Sequence, residues 1–170
     1  QFMQCDIDIL GEPTYLAEIE LILATTTLLG KLDFKNFTIR INNRKMLKGL
    51  AKYCGFPEES YDDVFIILDK MDKIEMSGVE AELLEAGYDK EAVEKCKNLF
   101  ETVTNDLDGV RYMKETLGDC LEEGVAEDLE TIIQTVEKVK AADFKIAFDP
   151  TLVRGMSYYT GPIFEIAMDE

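Results

Sequence analysis

The chain has 170 residues, with 18 basic and 35 acidic side chains, a formal charge of −17 and no histidine. So large an excess of carboxylates argues against nonspecific nucleic-acid binding by this segment, because neutralising phosphates needs clustered Lys and Arg. The missing histidine excludes His-based triads, His metal ligands and a His general base within the chain.

The opening Phe2-Met3-Gln4-Cys5-Asp6-Ile7-Asp8-Ile9 is β-prone and reads as a strand. Gln4, Asp6 and Asp8 share one face of it, since successive side chains point to opposite sides. On an exposed sheet that face is wetted; on a sheet floor it is a binding surface. Gly11-Glu12-Pro13 ends the strand. Tyr15 to Leu29 predicts a helix, with Leu16, Ile19, Leu23, Thr26 and Leu29 near helical spacing and Gly30 as its stop. Phe37 to Ile41 predicts a second strand, broken by Asn42-Asn43. Arg44 to Tyr53 predicts a short helix closed by Gly55.

From about Ser60 the pattern becomes helical throughout. Val64, Ile67, Leu68 and Met71 follow the spacing of one amphipathic helix, with Ser60 or Pro57 at its start. Val79, Leu83 and Leu84 mark a second helix, ended by Gly87. Asp89 caps a third, carrying Val93, Cys96, Leu99, Phe100 and Val103. Val110, Met113 and Leu117 mark a fourth; Leu129, Ile132, Ile133, Val136 and Val139 mark a fifth. After Ala141-Ala142 strand composition returns at Phe144 to Phe148 and at Tyr158 to Met168, with a turn at Thr160-Gly161-Pro162. A helical block between two sheet-forming parts reads as an insertion into an antiparallel α+β domain. The expected division is 1–42 and 142–170 for the sheet-bearing part, and 43–141 for an all-α insertion domain.

No apolar run approaches the roughly 18–20 residues needed to span a bilayer, and the first residues carry no signal-peptide pattern. Gln1 is not a natural start, so an excised fragment is expected. Cys5, Cys54, Cys96 and Cys120 are far apart and form no Cys-x-x-Cys pair, so zinc and redox motifs are unsupported. Scattered cysteines of this kind suit the apolar core of a protein in a reducing cytosol.

The stretch Leu152 to Glu165 is the most informative. Arg154 beside Gly155, then paired Tyr158-Tyr159 and Thr160-Gly161, is a costly composition for a plain strand. Arg154 could grip a carboxylate or phosphate in a fork. The bland reading is an Arg–carboxylate surface pair with two half-buried tyrosines.

Arg154-Gly155-Met156-Ser157-Tyr158-Tyr159-Thr160-Gly161, followed by Phe164-Glu165, resembles the histidine-specific signature of histidyl-tRNA synthetases. The opening resembles the end of the second class II synthetase motif in Phe2, Gln4 and Asp8. Glu18 and Glu20 fall where the family has an acidic helix. Ile41-Asn42-Asn43-Arg44-Lys45 and Leu68 to Lys73 are similar to further family segments.

The resemblance implies part of a class II synthetase antiparallel sheet with flanking helices. It implies activation of histidine with ATP and magnesium, transfer to histidine tRNA, a cytoplasmic location and a homodimer in the intact enzyme. Arg154 matches the arginine on the histidine carboxylate and the ATP α-phosphate, where positive charge helps the carboxylate attack. Tyr159 matches the tyrosine bonded to the substrate imidazole, and Asp8 the acceptor at its other edge. Gln4 matches a glutamine near the amino and carboxylate groups, and Tyr158 walls the pocket. No metal ligand is assigned.

Ser157 stands where the family commonly has Asp, which puts any ionic contact there in doubt. The ATP-site arginine of the second motif, the first and third motifs and the anticodon-binding domain are not in the chain. The competing expectation is a non-catalytic synthetase paralogue that regulates ATP phosphoribosyltransferase. Arg154 with an intact Tyr158-Tyr159-Thr160-Gly161 favours the synthetase.

Overall fold

The computed structural model describes residues 15–33, 36–140, 144–153 and 161–168. Along these the chain runs through α1 (Tyr15–Lys31), β1 (Phe37–Asn43), α2 (Arg44–Cys54), α3 (Tyr61–Leu68), α4 (Met71–Glu85), α5 (Lys90–Thr102), α6 (Leu107–Leu117), α7 (Val125–Val139), β2 (Phe144–Phe148) and β3 (Pro162–Met168). The expected strand at residues 2–9 and the strand start at Tyr158 lie outside the described residues.

The three described strands form one sheet in the order β2-β1-β3. β1 pairs antiparallel with β3, from Phe37 opposite Met168 to Asn43 opposite Pro162. It pairs parallel with β2, from Phe37 opposite Phe144 to Ile41 opposite Phe148. The sheet is therefore mixed. A parallel neighbour requires a crossover, and here the whole block α2–α7 supplies it.

Phe37, Ile39 and Ile41 alternate onto the buried face of β1, and Phe37 stacks on Phe144 with ring centroids 5.3 Å apart. Against them pack the α7 residues that sequence periodicity picks out: Leu129, Ile132, Ile133 and Val136 are buried. Val139, expected on the same stripe, is 54% exposed. It is the last residue of α7, where the chain is already turning toward β2. The apolar cluster is continuous from Ile22 and Phe37 through Leu47 and Leu83 to Leu129 and Phe148.

Local chemistry explains the helix limits. Gly55 closes α2 at φ 94°, its N–H bonded to the carbonyls of Ala51 and Lys52, a left-handed cap that glycine adopts without a Cβ clash. Asp106 caps α6, its side chain accepting from the Gly109 N–H. Asp89 precedes α5 as expected, but its side chain makes no cap bond. Gly30 does not stop α1, which runs on to Lys31. An internal glycine weakens a helix by only about 1 kcal/mol relative to alanine.

The stripe Val64, Ile67, Leu68 and Met71 is split between two helices. α3 ends at Leu68, and Met71 opens α4. α4 is itself kinked at Glu75, which sits at φ 58° and ψ −179°, a region costly for any residue with a Cβ.

Candidate functional site

The five residues expected to form the histidine site are Gln4, Asp8, Arg154, Tyr158 and Tyr159. All five lie outside the described residues, as does Ser157. The structure does describe both flanks of the Arg154–Thr160 segment and the strand end that holds them.

β1 does not break at Asn42-Asn43 as expected; it continues through both. The reason is that each asparagine finds partners. Asn42 is fully buried and its Nδ2 donates to the Leu152 carbonyl at 3.1 Å. Asn43 accepts from the Lys45 N–H at 2.9 Å and so caps α2. The Arg44 N–H then donates to the Gly161 carbonyl at 2.9 Å. One short stretch of chain thus grips Leu152 before the segment and Gly161 after it.

The approach to the segment is fixed as well. The Asp149 N–H donates to the Ile41 carbonyl at 2.9 Å, and the Leu152 N–H to the Asp149 carbonyl at 3.1 Å. The Asp149 carboxylate accepts from the Thr151 N–H and hydroxyl at 2.9 and 2.6 Å. This is the local turn chemistry expected of Asp before Pro150. Arg40 lies 3.6 Å from the other Asp149 oxygen and 3.8 Å from Asp72. These side chains line a cleft of about 360 Å³ with Thr38, Met71, Asn105, Ala147 and Thr151. Arg40 is shared by two carboxylates there, so it does not present a free positive charge to an anion.

Arg44 shows how the site edge joins the helices. A cation in the first turn of a helix faces an unfavourable dipole. Its guanidinium is buried, lies 4.6 Å from the centre of the Phe65 ring and bonds Asp62 at 2.8 Å. Asp62 and Phe65 belong to α3, so this contact ties the start of α2 to the next helix. Asn42 Oδ1 and Arg44 Nη1 are buried without a hydrogen-bond partner among the described residues.

A hydrogen bond with Cys54, and then burial, push the Cys96 thiol well above its ordinary range, as suits a buried structural cysteine. Among the described residues no group of three or more His, Cys, Asp or Glu side chains could hold a metal. No described helix is long and apolar enough to cross a membrane. Glu20 on α1 is exposed.

Sequence reasoning missed Asn42 and Asp149 as holders of the flanks. The pattern Ile41-Asn42-Asn43-Arg44-Lys45 was visible, but a pair of asparagines reads locally as a breaker. Only the tertiary partner of Asn42, 110 residues away, reveals its role.

The fold defined by this sheet and its helical crossover is shared with solved synthetases. A solved histidyl-tRNA synthetase from Nostoc sp. PCC 7120 matches it with a TM-score of 0.76 and 26% identity, over 92% of this chain and 37% of that one. An ATP phosphoribosyltransferase regulatory subunit/histidyl-tRNA synthetase from Bacillus halodurans C matches with a TM-score of 0.74. At 18% identity, over 94% of this chain and 41% of that one, it shows the likeness of fold alone.

The sequence comparisons are narrower. The histidine--tRNA ligase of Leifsonia xyli is 43% identical over 98% of this chain and 39% of its own length. That of Christiangramia forsetii is 35% identical over the whole chain and 37% of its own length. The family model for histidyl-tRNA synthetase matches residues 1–169. The chain belongs to the histidyl-tRNA synthetase family, and it spans about two fifths of the length of these curated relatives.

Proposed function

We propose that this chain is the part of a histidine--tRNA ligase that builds one side of the histidine-activating pocket. The observation that carries the reading is the family match across residues 1–169. It takes in both the Gln4–Asp8 segment and the Arg154–Gly161 segment. In this reading Gln4, Asp8, Tyr158 and Tyr159 bind histidine, and Arg154 acts in catalysis. Asp8 and Tyr159 address the two edges of the imidazole, and Gln4 the amino and carboxylate groups.

Arg154 offsets negative charge as a histidine carboxylate oxygen bonds to the ATP α-phosphorus. The bond to the bridging oxygen breaks in the same exchange, and pyrophosphate leaves. Fixed positive charge placed where charge develops needs no reorganisation during reaction. The adenylate then transfers histidine to its tRNA. ATP and the magnesium that accompanies its phosphates belong to the intact protein. Among the described residues no group of three or more His, Cys, Asp or Glu side chains could hold that ion.

Residues 43–141 are proposed as an insertion in a catalytic domain formed by 1–42, 142–170 and chain beyond this sequence. Its support is topological: β1 and β2 are parallel neighbours with the helices between them in sequence. The boundary is one of connectivity, since the hydrophobic cluster continues across it. A cytoplasmic homodimer is proposed for the intact enzyme on the family resemblance. The non-catalytic regulatory reading is less favoured, because its structural likeness comes at 18% identity and the ligase likeness at up to 43%.

The test is histidine-dependent ATP–pyrophosphate exchange. The full-length protein is expected to support it, the 170-residue chain alone is not, and Arg154→Ala is expected to cut it by about 100- to 1000-fold. Unchanged exchange in the Arg154→Ala protein removes that residue from the mechanism.

A further inference from the structure

We infer that the lysine stripe of α2, formed by Lys45, Lys48 and Lys52, is a docking surface for the sugar–phosphate backbone of the tRNA. The inference rests on the proposed ligase reading and adds to it the residues that grip the second substrate.

α2 is the exception in a chain of formal charge −17. It carries Arg44, Lys45, Lys48 and Lys52 and no acidic residue, whereas every other described helix has at least one Asp or Glu. At about 3.6 residues per turn, the three lysines fall within an arc of about 60° and span roughly 10 Å of the helix axis. Arg44 does not share this face, because its guanidinium is buried against Phe65 and Asp62. Met46, Leu47, Leu50 and Ala51 fill the other side and are buried.

Lys48 and Lys52 are exposed and make no ion pair among the described residues. Several lysines elsewhere on the helices are matched, Lys70 with Glu82, Lys97 with Glu80 and Lys140 with Glu137. Lys45 bonds Glu122 at 3.1 Å, with both side chains open to water. An exposed pair of that kind adds little to stability, so a phosphate can take the place of the carboxylate. Lys95 of α5 lies 5.5 Å from the centre of the Tyr53 ring and adds positive charge at the Lys52 end. Solubility does not require such a stripe, since the other helices expose carboxylates for that purpose. Local folding does not favour it either, because a cation in the first turn, as at Lys45, opposes the helix dipole.

A row of fixed positive charges matches the repeating phosphates of a nucleic acid, and contacts of this kind set register and orientation without reading sequence. A lipid surface fits less well: the apolar side of α2 lies in the core and has nothing to insert into a bilayer. The carboxylates on the neighbouring helices sharpen the contact. They repel a polyanion from the rest of the block and leave α2 as its landing place. The overall charge thus opposes indiscriminate binding while permitting one local contact.

The test uses the full-length protein and a histidine tRNA transcript, with affinity measured over a range of salt concentrations. Replacing Lys45, Lys48 and Lys52 together by Gln removes three phosphate contacts. It is expected to flatten the slope of log affinity against log salt by about 2 to 3 and to weaken binding about tenfold or more near 0.1 M salt. Histidine-dependent pyrophosphate exchange, which needs no tRNA, is expected to be unchanged. The control replaces Lys73, Lys90 and Lys138 by Gln. These are exposed and stand on three different helices, so the net charge changes equally while no stripe is lost, and the slope should stay at the wild-type value. Lys48→Gln with Lys52→Gln leaves the Lys45–Glu122 pair in place and carries the comparison if the triple variant does not fold. Equal slopes in wild type and the α2 variants, or an equal flattening in the control, overturn the docking role while normal exchange leaves the ligase reading intact. A wild type without histidine-dependent exchange overturns both.

Discussion

The helices from Tyr61 to Val139 are held together mainly by apolar contact, whereas the ground between Asn42 and Gly161 is held by aimed hydrogen bonds. In the helices, Val64, Leu83, Val93, Leu99, Val110, Met113 and Leu129 are buried with almost no exposure. Their contributions scale with area and tolerate small shifts. At the end of β1 the partners are specific atoms: Asn42 on Leu152, Arg44 on Gly161, Asp149 on Ile41 and Thr151. Each such bond adds modest net stability, but leaving one of its groups unpaired costs more than making the bond gains. The first region is held by area, the second by bonds to the particular carbonyls of Leu152, Gly161 and Ile41.

Substitutions can break or sharpen that contrast. The largest loss of stability is expected from the apolar side. Leu129→Ala removes a fully buried side chain from α7 and should cost about 3 kcal/mol. Urea unfolding measures it, and a loss well below about 1 kcal/mol would mean that the helices do not depend on this packing.

Gly109→Ala probes a place where a helix depends on close backbone approach. A Cβ there would lie 1.8 Å from the Thr104 carbonyl oxygen, so the loop before α6 must move. A melting-temperature drop equivalent to about 2 kcal/mol is expected.

The smallest effect is polar and depends on pH. The Thr104 hydroxyl, followed by the Gly109 N–H, holds the Asp106 carboxyl below its ordinary value of 3.8. A carboxyl depressed in the folded state contributes fully above its unfolded pKa and loses that contribution as pH falls through the folded value. Asp106 caps α6, so its replacement by alanine should cost about 1 kcal/mol at neutral pH. The gap to wild type should close in acid, as pH drops below about 4. A gap that stays constant through that range would assign the loss to the helix start itself rather than to the carboxylate.

The same contrast explains what the sequence shows of the fold. α2, α5, α6 and α7 are legible because apolar spacing is a local signal, joined at α2 by the closing Gly55. The split between α3 and α4 is not, because Met71 continues the apolar spacing while the backbone turns between Leu68 and Met71. The parallel pairing of β1 with β2 has no local signal at all. Arg154, Tyr158 and Tyr159 stand out through the resemblance. Asn42 looks like a turn residue until its partner at Leu152 is known, because a buried amide is defined by what it meets across the fold.

The crossover between β1 and β2 has a further consequence, for the order of folding. Phe37 and Phe144 are register partners, yet roughly a hundred residues of chain separate them, and closing so long a loop is slow when the loop is unstructured. α2 begins directly after β1, and only a short connection joins α7 to β2. Once the helices have assembled from their local contacts, the two strands are already close neighbours. The helical block is then expected to act as a folding template for the sheet, with the Asn42 bond to Leu152 among the later contacts.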